Sequence, residues 1–100
     1  VLPGLFKTNF VNKGLVANEN TMADNSPYKK LVSHLVPIVA EKINEGPSPV
    51  AVANVVKSVL EDDNAQISTP VGAEAEAFVP MAKQMIAEDF EQKIKETFAL

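Results

Sequence analysis

Cysteine is missing from the entire chain, which excludes a disulfide framework, a thiolate metal site and a thiol nucleophile. A reducing compartment suits such a chain, and a cytoplasmic location is expected. Histidine occurs once, at His34, with no E-x-x-H spacing around it. It lacks the company that metal binding or proton transfer demands, and a structural or solvent-exposed role is expected. The four glycines, Gly4, Gly14, Gly46 and Gly72, lie too far apart to write G-x-G-x-x-G or a phosphate-binding loop. Basic residues do not cluster beyond Lys29 and Lys30, and the net charge is -4. Nucleic acid is therefore not an expected partner, because affinity for phosphate backbones comes largely from clustered Lys and Arg. Long apolar runs are lacking too: LVSHLVPIVAEKI is interrupted by Ser33, His34, Pro37 and Glu41, and a bilayer span needs about 20 mostly apolar residues. No membrane association is expected.

What is present is a globular mixture, 46% hydrophobic and 22% charged over 100 residues, which suits one domain. Glu61, Asp62 and Asp63 read as a solvated turn between helix and strand, since no glycine-containing calcium loop follows them. Tyr28 is the only tyrosine, and Val32 stands where an activating lysine one helical turn later would be needed. Tyr28 is expected in the core or lining a pocket.

Periodicity sets out the elements. The opening VLPGLFKTNF begins with two apolar, extended-favouring residues and a Pro-Gly turn, as the tip of a strand would, and with no initiator methionine the chain reads as one whose own start is missing. From Val11 to Ser26 the apolar residues show no clear period, which predicts a loop or short irregular helices. Ser26-Pro27 then signals a helix start, and Tyr28, Leu31, Leu35, Ile38, Val39 and Ile43 follow at helical spacing. Pro37 predicts a kink or break in that helix. Ser48-Pro49 repeats the start signal before Val52, Val55, Val56, Val59 and Leu60, a stiff β-branched stripe suited to packing on a sheet. In AQISTPVG the period changes to two, predicting a short strand at Ile67 to Val71, with Pro70 confining it to an edge. Helical spacing returns around Ala75, Phe78, Val79 and Ala82, and again through Ile86, Phe90, Ile94 and Phe98. Glu91 and Lys95 are placed for an i,i+4 pair. A lone strand cannot satisfy its own backbone, so the later strand requires the opening stub as its partner, parallel if the helices between form one crossover.

Pro3-Gly4-Leu5-Phe6-Lys7-Thr8 matches P-G-x-x-x-T, and this hexapeptide resembles the segment after the sixth strand of the short-chain dehydrogenase/reductase family. A plain turn followed by a threonine helix cap is the alternative reading of the same residues. The later SPY segment, SPVAVANVVKSVL, ISTPVG and AEAEAFVPMAKQMIAEDFEQKIKETF are similar to that family's C-terminal region in the same order. The resemblance implies an α/β fold, the C-terminal part of a doubly wound parallel Rossmann-type sheet, mainly helical within these residues. It divides the chain into a strand end and cofactor turn (1–8), a lid over the substrate (9–46), a helix with an edge strand (47–72) and C-terminal helices (73–100). It implies NAD or NADP as cofactor, held near the nicotinamide by Pro3, Gly4, Leu5, Phe6 and Thr8, and a small carbonyl or alcohol substrate. A homodimer or homotetramer is implied for the complete enzyme. The family's glycine-rich loop, catalytic serine, and tyrosine and lysine are not in these residues, so no catalytic residue is expected here and the chain alone should not turn over. A tyrosine followed four residues later by lysine is expected upstream of Val1. The rival reading is a small acidic helical protein-interaction module without catalysis.

Overall fold

The structure, a computed structural model, describes residues 1–100. Leu2–Pro3 forms β1 and Pro70–Val71 forms β2, and the two pair in parallel with Leu2 opposite Pro70 and Pro3 opposite Val71. The Leu2 N–H donates to the Thr69 carbonyl and the Gly4 N–H to the Val71 carbonyl, each at 2.8 Å. The opening stub thus meets the later strand in the expected parallel sense.

The doubly wound Rossmann-type sheet expected from the resemblance is not formed. The chain is 60% helical and has only these two short parallel strands. Alternation explains why the sheet stays small. Leu2 and Gly4 point their N–H groups at β2, so the Pro3 nitrogen between them faces the opposite edge; Pro70, between the accepting carbonyls of Thr69 and Val71, likewise turns its nitrogen outward. Each outer edge therefore lacks a donor where a further strand would need one. The strand expected from Ile67 is also shorter than its alternation implied. β1 offers two residues to pair with, and Ile67 lies outside the ladder with its side chain fully exposed.

The crossover between the strands is helical. Phe10–Gly14 makes one π-helical turn, and α1 is the single turn Glu19–Met22, where Asn18 Oδ1 accepts the Thr21 N–H at 2.8 Å. α2 spans Lys29–Asn44 and continues through Pro37, so the expected break does not occur. α3 spans Val50–Glu61; Ser48 Oγ accepts the Val50 N–H at 3.3 Å at its start, and Asp62 ends it by turning to accept the Asn64 N–H at 2.9 Å. After β2, Gly72 opens α4 (Ala73–Gln84), and Glu76 reaches back to accept the Gly72 N–H at 3.2 Å. α4 runs through Pro80, and the chain breaks instead at Met85 and Ile86 before α5 (Ala87–Thr97). Phe78 of α4 and Phe98 past the end of α5 meet as a tilted aromatic pair with centroids 6.4 Å apart.

The core is thin: Phe6, Ile43, Val71 and Ala75 are the only 4 buried residues of 100. They join the turn after β1 to the C-terminal end of α2, to β2 and to the first turn of α4. The valine stripe of α3 divides. Val55 and Val59 face a hollow beside Ala65, Thr69 and Pro70, whereas Val52 and Val56 face the turn after β1.

Candidate functional site

The Pro3-Gly4 turn leaves β1 and is pinned at three backbone points. Gly4 bonds to Val71, the Lys7 N–H donates to the Pro47 carbonyl at 2.9 Å, and the Leu5 N–H donates to Glu74 Oε2 at 3.5 Å. Glycine suits the close approach at position 4, since a Cβ there would stand 3.1 Å from Glu74 Oε2 and 3.2 Å from the Ala75 nitrogen, tighter than ordinary contact. Thr8 follows, and its Oγ accepts the Phe10 N–H at 3.3 Å, so the hydroxyl supports the π-helical turn and still has its own hydrogen to donate. The Phe6 N–H makes no bond to another group of the chain. Thr8 is not the helix cap of the alternative reading: the π-helical turn begins from Asn9, with no side-chain cap, and the Thr8 bond to Phe10 is a local turn contact.

These residues open on a cleft of about 700 Å³. Pro3, Gly4, Leu5, Phe6 and Thr8, all five residues expected to meet a cofactor, line it. Phe10, Ile43 and, from the start of α3, Pro49, Val52, Ala53 and Val56 complete the lining. None of these side chains is titratable. A smaller hollow of about 290 Å³ lies against the same turn, shared by Leu5, Val39, Glu74, Phe78 and Phe98. The turn therefore separates a neutral cleft on the α3 side from a hollow holding a carboxylate on the α4 side.

Other sequence candidates lie away from this cleft. Tyr28 is 64% exposed at the start of α2 and is not a core residue, though it borders a shallow hollow with Asn18, Thr21 and Pro27; Ser26 Oγ accepts its N–H at 3.2 Å. His34 is exposed on α2, and Asp62 and Asp63 are exposed at the end of α3. No group of three His, Cys, Asp or Glu side chains is placed to hold a metal ion. No helix is long and apolar enough to cross a membrane.

Sequence reasoning missed Glu74. Its bond to Leu5 spans 69 positions, and every other hydrogen bond made by a side chain stays within five. Nothing local in AEAEAF distinguishes Glu74 from Glu76, because both suit the first turn of a helix. Phe10 was legible as apolar, but only the π-helical turn brings it to the cleft.

No family model, no curated protein and no solved structure matches this chain.

Proposed function

We propose that this chain supplies the nicotinamide-side wall of an NAD- or NADP-dependent oxidoreductase that interconverts an alcohol and a carbonyl compound. The reading is carried by one observation: all five residues of the family-like turn open on a single cleft whose other walls are apolar and uncharged. The turn offers what a carboxamide needs, a backbone N–H at Phe6 without a partner and a hydroxyl hydrogen at Thr8. The uncharged, mainly apolar lining suits the flat ring and keeps water from it. When bound, the nicotinamide group gives or takes the hydride.

The chain's own part is to hold and orient. No titratable side chain lines the cleft, so the proton that leaves or joins the substrate oxygen is handled by groups outside these residues, and the chain alone is expected to be inactive. The residue that would read the ribose 2′-position is not among these, so the reading covers NAD and NADP alike. Residues 9–46 serve as the cover over the substrate, with Phe10 and Ile43 as its inner surface. A homodimer or homotetramer belongs to the same reading.

Saturation-transfer NMR with NADH tests this directly. The nicotinamide ring protons should receive more magnetisation from the chain than the adenine protons, and Thr8→Val should lower that transfer several-fold. Equal transfer to both ends, or none, would overturn the proposal. A non-catalytic helical interaction module is the second reading, favoured by the 82% exposure of Leu60 on α3; silence toward NADH together with a cooperative monomeric melt would support it.

A further inference from the structure

We infer that the cleft takes an uncharged ligand with a hydrocarbon body and a single polar end, packed on the α3 residues of its lining, and rejects anionic ligands of the same length. This rests on the functional reading above for the role of that ligand as substrate, but not for its binding.

The first ground is size. A cleft of about 700 Å³ lies within the roughly 300–1,000 Å³ typical of small-molecule sites. The second is the distribution of polarity. Thr8 carries the only hydrogen-bonding side chain of the lining, whereas α3 contributes Val52, Ala53 and Val56, which add apolar surface alone. Phe10 and Val56 remain 54% and 40% exposed there, so a hydrocarbon body removes from water apolar surface that the fold leaves wet. The third is charge. No lysine lines the cleft: Lys7, between the lining residues Phe6 and Thr8, is exposed to solvent, Lys57 lies 4.0 Å from Glu61, and the chain carries a net charge of -4. A carboxylate or phosphate drawn into such a site loses hydration with no countercharge to replace it.

Calorimetric titration of the full chain with 2-decanone and with decanoate separates these classes at matched length. The ketone is expected to bind at least tenfold more tightly. Val56→Asp should weaken it about tenfold, while Leu60→Asp, on the same helix but outside the cleft, should leave it unchanged. Val56→Lys should gain decanoate binding that Leu60→Lys, with the same added charge, does not. Equal affinity for ketone and decanoate, or equal effects of the substitutions at 56 and 60, would overturn the inference. So would a dimer in sedimentation that Val56→Asp converts to monomer, because the cleft would then be an interface between copies of the chain. If 2-decanone binds and NADH does not, the ligand class stands and the cofactor reading falls. If NADH binds and 2-decanone does not, the cofactor reading stands and the ligand class falls.

Discussion

Gly72 joins the strand to α4 at φ 94° and ψ 155°, a backbone region almost closed to residues with a side chain. A Cβ there would also lie 2.9 Å from Cε2 and Cζ of the buried Phe6 ring. Gly72→Ala should therefore cost about 2–4 kcal/mol, combining backbone strain and overpacking, and urea unfolding followed by circular dichroism measures it. Because Phe6 also lines the cleft, the same variant should weaken ligand binding. Glu91 illustrates a different kind of residue effect. The hydrogen bond from Lys95, at 2.8 Å, and then its positive charge hold the Glu91 carboxyl below the usual range. A depressed folded-state value means that the pair's contribution is present above the unfolded carboxyl's value and fades as pH falls through the folded one. Both side chains are in solvent, so the effect is spectroscopic rather than energetic: Lys95→Ala should return the Glu91 carboxyl carbon titration to the ordinary range, with the melting midpoint unchanged. The Glu91–Lys95 pair was legible in the sequence because four residues on a helix fix proximity. Glu74 was not, since its partner Leu5 is brought near only by the pairing of β1 with β2.

At the scale of elements, the helices follow local chemistry and the strands do not. Ser48-Pro49 announces α3 and Asp62 stops it, both within one turn of the boundaries seen. The alternation of Ile67, Thr69 and Val71 satisfied the same kind of local test, yet a strand exists only where another strand faces it, and β1 faces only Pro70 and Val71. The prolines also had two meanings that sequence could not separate. At Pro3 and Pro70 they close sheet edges, whereas at Pro37 and Pro80 they sit inside helices that continue past them. Within α2, Pro37 withholds the N–H that would bond to Ser33 and crowds the preceding turn. Its side chain is exposed, so Pro37→Ala removes little packing. The substitution should raise stability by about 1–2 kcal/mol, after allowing for the greater freedom of the unfolded chain. A thermal melt read at 222 nm tests this, and an unchanged or lower midpoint would contradict it.

The whole molecule is open for its size. Its radius of gyration is 16.2 Å, against about 13 Å for a compact chain of this length. Its accessible surface is 7472 Å², against about 5,500 Å² for a compact monomer of its mass. Apolar side chains share in the excess: Val16, Val50, Leu60 and Ile67 stand in solvent, and Phe10 and Val56 in the cleft are half wet. Composition had indicated a chain able to build a core, and it carries enough apolar residues to do so. What composition does not convey is how the two-residue sheet divides them, leaving the α3 stripe covered on one flank only. Cooperative unfolding needs a core that loses its contacts together, and four buried residues provide little of one. The isolated chain should therefore melt broadly, with a midpoint below about 45 °C and a urea slope below about 1 kcal/mol/M. An uncharged ligand in the cleft should raise and sharpen the transition through mass action. A sharp, concentration-independent transition with equal calorimetric and van't Hoff enthalpies near 70 kcal/mol would contradict this and favour a self-sufficient interaction module. A sharp transition that strengthens with protein concentration would instead place the uncovered α3 flank against a second copy of the chain.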